Sequence, residues 1–422
     1  MKKLFVVLLF QLFTLGVIAQ KPALLSLSEC YRLAEQNYPL SKQRDLLTKA
    51  AAYTIENIQK GYLPQFNLNG LASYQSEVTQ LPIQLPGMVV PAMSKDQYKL
   101  YGEINQLIYD GGVLKQQKEL QQANTLIEQR KLETTLYQLR ERINQLFFGA
   151  LLIGEQLKQN ELMAGDIQLG LRRVQAAIDN GTALKSNADV LKADLLKNKQ
   201  RRAELLAIQK SYHTMLGLFI GKAMAPEINL LKPAPIITSV WPQIKRPELL
   251  VYESQNKNLD VQNNLLTTKA RPKFSFFLQG GYGRPALNFL NNNFETYYLS
   301  GFRLSWSPTV FYTLKKDRQL LNLNRNTIEV QKETFLFNTN LTLRQQRAEI
   351  DKYLELLSTD EEIIALRSKI KATAMVQLEN GVINGNDYLR EVNAENEARQ
   401  NKILHETQLL LAQYNEQTTS GN

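Results

Sequence analysis

Few side chains in this sequence are equipped for bond-making chemistry. There are two histidines, His213 and His405, and a single cysteine, Cys30, in 422 residues. Each histidine falls on a helical pattern with no acidic partner at metal-ligand spacing, which assigns both to a surface or an interface and leaves no metal site. One cysteine excludes an internal disulfide and a thiolate cage. Cys30 closes the stretch LSEC, where Glu29 stands in place of the small residue expected before a lipidated cysteine, so it reads as a buried helix position. The GGYG run at 280–283 lacks the strand, turn and helix around it that would make a phosphate loop. The acidic STDEEI run at 358–363 reads as a solvated helix face. No nucleophile, base and orienting group can be assembled, so neither an enzyme nor a cofactor is expected. The formal charge of +10 is scattered along helical segments without a basic cluster, which argues against nucleic acid.

What the sequence does carry is repetition. VQAAIDNGTALKSNADVL at 174–191 returns as VQLENGVINGNDYL at 376–389. Each copy leaves a long helical pattern, breaks at a glycine (Gly181, Gly381), and re-enters a helix past short polar residues, with Gly385 inside the second turn. That is the signature of two antiparallel helices joined at a tip. The order of elements around it also recurs, so the chain reads as two tandem repeats, 21–222 and 248–417. A crossover at 223–247 containing Pro226, Pro233, Pro235, Pro242 and Pro247 separates them, because no helix survives that proline spacing. Ahead of the first repeat, residues 1–20 read as a secretory signal: Lys2 and Lys3, an apolar run from Leu4 to Ile18, and small Ala19. Residues 418–422 read as a loose tail.

Each repeat opens with a helix that stops before a proline, Pro64 or Pro272, and continues into two strands, expected near 65–75 and 97–109, then near 273–283 and 296–307. The first pair flanks a loop with Pro82, Pro86 and Pro91; the second flanks the Asn-rich NFLNNNFE. Alternation places Phe66, Leu68, Ala72, Tyr74, Tyr98, Leu100, Ile104, Ile108, Phe274, Phe276, Leu278, Tyr282, Tyr298, Phe302, Leu304 and Trp306 on one face. Asn, Ser, Gln, Glu and Arg dominate the other, with Phe277 and Leu299 as exceptions. A half-buried soluble sheet would show the same alternation. Strands of about 9 to 11 residues with aromatics near their ends are also the mark of an outer-membrane barrel wall. Four strands cannot close a barrel, and an open edge in lipid leaves unpaired backbone groups, so a barrel must be shared. Three copies of four strands make twelve, an even number.

The helices that follow are long. Residues 112–180 and 311–380 contain no proline, and roughly 70 residues extend on the order of 100 Å. Leu132, Leu136, Leu139, Ile143, Leu146, Ala150, Ile153, Leu157, Ala164, Ile167, Leu171, Val174 and Ile178 form a heptad seam with one polar lapse at Asn160. The return helices, near 184–219 and 386–415, supply the antiparallel partners. In the second repeat Ile350, Leu354, Leu357 and Ile364 make one stripe, and Ile363, Leu366 and Ile370 another, which suits a helix with neighbours on both sides.

Taken in order, LSLSECYRLAEQNYPL, the GEINQLIYDGG junction, the two glycine tips and TMLGLFIG resemble an outer membrane efflux protein of the TolC-like family over essentially the whole mature chain. The resemblance implies a mainly α fold with a small β part: long coiled-coil hairpins forming a periplasmic helical barrel, and four strands given to a trimeric twelve-stranded outer-membrane barrel. It implies a homotrimer in outer-membrane lipid, with a large periplasmic part. The expected function is the exit duct of a tripartite efflux or type I secretion system, partnered by a periplasmic adaptor and an inner-membrane transporter. A soluble periplasmic coiled-coil adaptor or scaffold without a pore is the alternative. By the same resemblance Gly181, Gly381 and Gly385 mark tips that face the adaptor, and Asp387 falls where the family carries a gate carboxylate. Arg390 stands where a second gate aspartate is expected, Leu378 and Ile383 replace a latch tyrosine and arginine, and Asn187 and Asp189 occupy the corresponding region of the first tip. Three copies of Asp387 would form a carboxylate ring, compensated by a cation or by Arg390 of a neighbour. An aspartate here would equally serve as a helix cap.

Overall fold

The computed structural model describes residues 24–79, 93–224, 229–236 and 241–422. The signal-like segment, the loop with Pro82, Pro86 and Pro91, and Pro226 of the crossover lie outside the described residues.

Local chemistry sets where elements begin and end. Helix α1, Leu27–Asn37, starts at Ser26, whose hydroxyl accepts from the Glu29 N–H. It stops because Tyr38, ahead of Pro39, is held extended (φ −62, ψ 132). A short 3₁₀ turn, Pro39–Lys42, leads into α2, Gln43–Gln59. The single opening helix expected from the sequence is therefore two, parted at a proline that cannot donate into the helix. Leu63 is extended ahead of Pro64, and strand β1, Gln65–Tyr74, follows.

Strand β2, Asp96–Tyr109, runs into Asp110 and two glycines in the left-handed region, Gly111 (φ 76) and Gly112 (φ 91). The buried Asp110 carboxylate accepts from the Gly112 N–H at 2.8 Å and the Leu114 N–H at 2.6 Å. This caps helix α3, Val113–Tyr137, and turns the chain out of the sheet. After an interruption at Gln138, helix α4 covers Leu139–Asp179 and α5 covers Lys185–Ile220. The uninterrupted helix expected over 112–180 is thus two, although Gln138 between them keeps helical dihedrals (φ −62, ψ −17).

The second half repeats the order. It comprises α6 (Glu248–Lys269), β3 (Lys273–Arg284), β4 (Glu295–Ser305), the 70-residue α7 (Val310–Glu379) and α8 (Gly385–Ser420). The expected loose tail at 418–422 is instead the packed end of α8: Thr418 and Ser420 are buried, and Asn422 Nδ2 donates to the Gln243 carbonyl at 3.0 Å.

The chain divides into two compact units, each drawn from both halves: Met1–Ser41, Thr135–Arg246 and Leu336–Asn422 in one, Lys42–Thr134 and Pro247–Phe335 in the other. In the first, α4 packs against both α5 and α8, and α1 against α4 and α5. The seam residues Leu139, Ile143, Ala150, Ile153, Ile167 and Val174 are buried there. At the lapse, Asn160 and Asn198 each donate from Nδ2 to the other's backbone carbonyl, at 3.4 and 3.2 Å. In the second unit the strands form one antiparallel sheet in the order β1-β2-β3-β4, so the two hairpins meet at β2 and β3. Among the described residues β1 and β4 are its unpaired edges.

Candidate functional site: the apolar sheet face and the hairpin tips

Residues paired across neighbouring strands share a face of the sheet. The register pairs Phe66 with Ile104, Ala72 with Tyr98 and Leu68 with Gly102 between β1 and β2. It continues with Leu100 opposite Tyr282 and Ile104 opposite Leu278, then Phe274 opposite Leu304, Phe276 opposite Phe302 and Gly280 opposite Tyr298. The apolar side chains therefore share one surface, exposed in the single chain: Phe302 is 78%, Tyr298 77%, Tyr74 77% and Phe66 69% exposed. Phe276 is half-buried against the Phe302 ring, 5.6 Å away. Two positions shift from expectation. A bulge between Leu107 and Tyr109 places Tyr109, not Ile108, opposite Phe274. Trp306 lies just past β4, its indole N–H donating to the Ala270 carbonyl at 3.0 Å.

The opposite face carries Asn67 beside Glu103 and Asn69 beside Tyr101. Arg303 reaches Glu103 at 3.4 Å and lies 4.8 Å over the Phe277 ring, so one apolar exception on this face is covered by a guanidinium.

The two tips are built alike. The Thr182 N–H bonds the Ala177 carbonyl at 2.8 Å and the Gly181 N–H bonds Ile178 at 2.9 Å; Val382 to Gln377 and Gly381 to Leu378 repeat this at 2.9 and 3.1 Å. Both are Schellman ends, with Gly181 (φ 75) and Gly381 (φ 71) in the left-handed position. Helix α8 is capped by Asn384, whose Oδ1 accepts from the Asn386 and Asp387 N–H groups at 2.9 and 3.0 Å. The cap role open to Asp387 is therefore taken by Asn384, and Asp387 sits in the first turn, where a negative charge complements the helix end.

Of the tip candidates, the structure brings Gly385 and Asn187 together: a Cβ on Gly385 would lie 2.9 Å from the Asn187 carbonyl oxygen. Asp387 and Arg390 line one open groove of about 420 Å³ between α7 and α8. Within the chain Arg390 pairs with Glu391 at 3.2 Å, and Asp189 pairs with Lys192 at 3.7 Å. Leu378 and Ile383, which replace the latch tyrosine and arginine of the resemblance, belong to an apolar tip core with Ile167, Val174, Leu191, Tyr388 and Val392.

Several residues in this region escape sequence reasoning. Tyr388 is fully buried, its ring against Gly170 and its hydroxyl donating to the Asp166 carbonyl at 3.3 Å; burial pushes its phenol well above the usual value. Lys371 bridges Asp166 and the buried Glu395, which also accepts from Arg399 at 2.7 Å. The Glu395–Arg399 spacing of four along a helix is the one local signal of this cluster.

Other expectations need correction. His405 has an acidic partner after all, Asp360 at 2.7 Å between its Nδ1 and Oδ2, reached across the pairing of α7 with α8. Asp360, assigned to a solvated face, is buried. His213 is likewise buried, and desolvation lowers its imidazole pKa. Cys30 is buried in α1, as read, with burial pushing its thiol up to about 12. Among the described residues no cluster of His, Cys, Asp and Glu could hold a metal ion, and no helix is long and apolar enough to cross a membrane.

No protein-family model matches the sequence. No curated protein matches it either. Solved structures do. The outer-membrane channel OprN is similar with a TM-score of 0.64 at 13% identity, over 94% of this chain and 89% of its own. The outer membrane protein VceC from Vibrio cholerae is similar with a TM-score of 0.64 at 10% identity, over 94% and 96%. The open state of the Neisseria gonorrhoeae MtrE outer membrane channel is similar with a TM-score of 0.63 at 11% identity, over 94% and 89%. At these identities the likeness is one of architecture: the chain has the fold of the TolC-like outer-membrane channels.

Proposed function

We propose that the chain is one protomer of an outer-membrane exit duct, a homotrimer whose twelve shared strands close a barrel in lipid and whose hairpins line a periplasmic tunnel. One observation carries the reading: a four-stranded sheet whose edges are unpaired among the described residues presents one predominantly apolar, exposed face. Such a face belongs against hydrocarbon, and such edges are tolerated there only when other copies pair with them. Phe66, Leu68, Tyr74, Tyr98, Leu100, Ile104, Phe274, Phe276, Tyr282, Tyr298, Phe302 and Trp306 then meet lipid. The tips at Gly181, Gly381 and Gly385 face a periplasmic adaptor, which joins the duct to an inner-membrane transporter. Asp387 forms the tip carboxylate ring, with Arg390, Asn187 and Asp189 beside it. The wide likeness to outer-membrane channels supports this reading over a soluble adaptor.

Membrane fractionation tests it. The full-length protein should resist alkaline extraction from outer membranes, run as a trimer in unboiled gels, and open discrete conductances in planar bilayers. A monodisperse monomer in detergent-free buffer would overturn the proposal and favour the soluble alternative.

A further inference from the structure

The segment joining β3 to β4, residues 285–294, is an anomaly for an exposed connection. Between Arg284 and Glu295 it holds no charged residue, and Leu287, Phe289 and Leu290 are 55%, 54% and 48% exposed. Surface connections in water are ordinarily polar, and clustered apolar exposure marks a contact surface.

Two features say what covers it. First, the segment ends on the apolar face of the sheet. Phe294 stacks on Tyr282 (5.5 Å, 21° between planes) and on Tyr98 (6.2 Å, 29°), and both tyrosines share that face with Leu100. The Arg284 guanidinium lies over the Tyr98 and Phe294 rings and pairs with Asp96, fixing the turn-over point at the rim. Phe294 thus joins the segment that carries the exposed Leu287, Phe289 and Leu290 to the apolar face. Second, part of the segment's backbone, and the neighbouring Ser94, is supplied with side-chain partners. Asn288 Oδ1 accepts from the Leu290 N–H at 3.1 Å, Asn291 Oδ1 from the Asn293 N–H at 3.1 Å, and Asn292 Oδ1 from the Ser94 N–H at 3.0 Å. Asparagine side chains that take up backbone N–H groups lower the cost of placing an irregular segment at the membrane interface.

We propose that residues 285–294 form a lipid-inserted strap: the segment bends over the outer face of the wall and seats Leu287, Phe289 and Leu290 at the headgroup boundary of the outer leaflet. This rests on the reading of the sheet as a barrel wall. The aromatic rim of Tyr98, Tyr282 and Phe294 marks the interfacial level, and the strap extends the apolar band beyond the strand ends. It anchors each protomer without covering the pore.

The test places an environment-sensitive fluorophore at Phe289→Cys, Leu290→Cys or Phe302→Cys, each in a Cys30→Ala background of the full chain. The protein is reconstituted in phosphatidylcholine vesicles with or without bromine on the acyl chains. Loss of most of the fluorescence in brominated vesicles at Phe302→Cys and at both strap positions supports the strap. Quenching at Phe302→Cys, with both strap probes insensitive to bromine and quenched by aqueous iodide, overturns it and leaves the wall intact. Strap probes shielded from both quenchers would assign the segment to a neighbouring copy and also overturn it. Absence of bromine quenching at Phe302→Cys would remove the wall reading itself.

Discussion

Lys371 on α7 stands 2.8 Å from Asp166 on α4, joining residues 205 positions apart, and the same ammonium reaches Glu395 on α8. One cation thus ties three helices together near the tips. Burial disfavours charge on both Lys371 and Glu395, yet hydrogen bonds outweigh it. Those to Asp166 and Glu395 lift the Lys371 ammonium above the ordinary lysine value, and those from Lys371 and Arg399 hold the Glu395 carboxyl below the ordinary carboxylate range. Glu395 therefore contributes fully above its unfolded value near ~4.3 and fades as pH falls through the lower folded one; Lys371 contributes fully below ~10.4 and fades as pH rises through its higher folded value. Lys371→Met should destabilise near neutral pH, by less than the ~3–5 kcal/mol of a fully stranded buried charge, because Arg399 still pairs with Glu395. The deficit should shrink on acidification as Glu395 takes up a proton. Thermal unfolding of wild type and variant across pH checks this; equal melting temperatures at neutral pH would refute it.

Gly170 has no room for a side chain. A Cβ there would lie 2.5 Å from Tyr388 Cε1. Gly170→Ala should destabilise by about 1–3 kcal/mol, and should couple with Tyr388→Leu in a double-mutant cycle. Additive effects of the two substitutions would mean that the contact is not made.

At the tips the constraint is purely conformational, because a Cβ on Gly181 or Gly381 meets no atom within 4 Å. Alanine at either should cost roughly 1–2 kcal/mol for the left-handed backbone, and asparagine less. Calorimetry ranking alanine equal to asparagine would contradict this.

Asp387→Ala should remove the cation sensitivity of the channel. Single-channel recordings with divalent cations on the periplasmic side provide the measurement. Unchanged conductance and unchanged block would eliminate the carboxylate ring, leaving Asp387 as a favourable charge at the start of α8.

The buried Asn160 and Asn198 interrupt an otherwise apolar seam, and Asn160 Oδ1 has no partner. Asn160→Leu alone should destabilise by about 0.5–1.5 kcal/mol, because the Asn198 carbonyl loses the Asn160 Nδ2 donor while the Asn198 amide keeps the Asn160 carbonyl. The double substitution to leucine should be neutral or stabilising, at the expense of a unique helix register. A double variant less stable than either single one would reverse the assignment.

The strand faces were legible because the period of two is a local property: Phe66, Leu68, Tyr98, Leu100, Phe276 and Phe302 alternate with polar neighbours wherever the strands lie. The bulge at Leu107 to Tyr109 was not, since it depends on how β2 meets β3. Gly181 and Gly381 were legible for the same local reason, as residues that tolerate a left-handed backbone.

Sequence alone thus determined the two-fold repetition, the tip turns, the seam and its polar lapse, and which strand residues share the apolar face, all properties of spacing along the chain. Tertiary structure alone decided which elements meet. It placed Lys371 against Asp166, His405 against Asp360 and Tyr388 against Gly170, and set Leu378 and Ile383 in the tip core. The physical reason is that a helix pattern specifies which side is buried, but not which charged or aromatic group of a distant helix will be found there. Those partners are selected by desolvation and shape across hundreds of residues of chain, where periodicity carries no information.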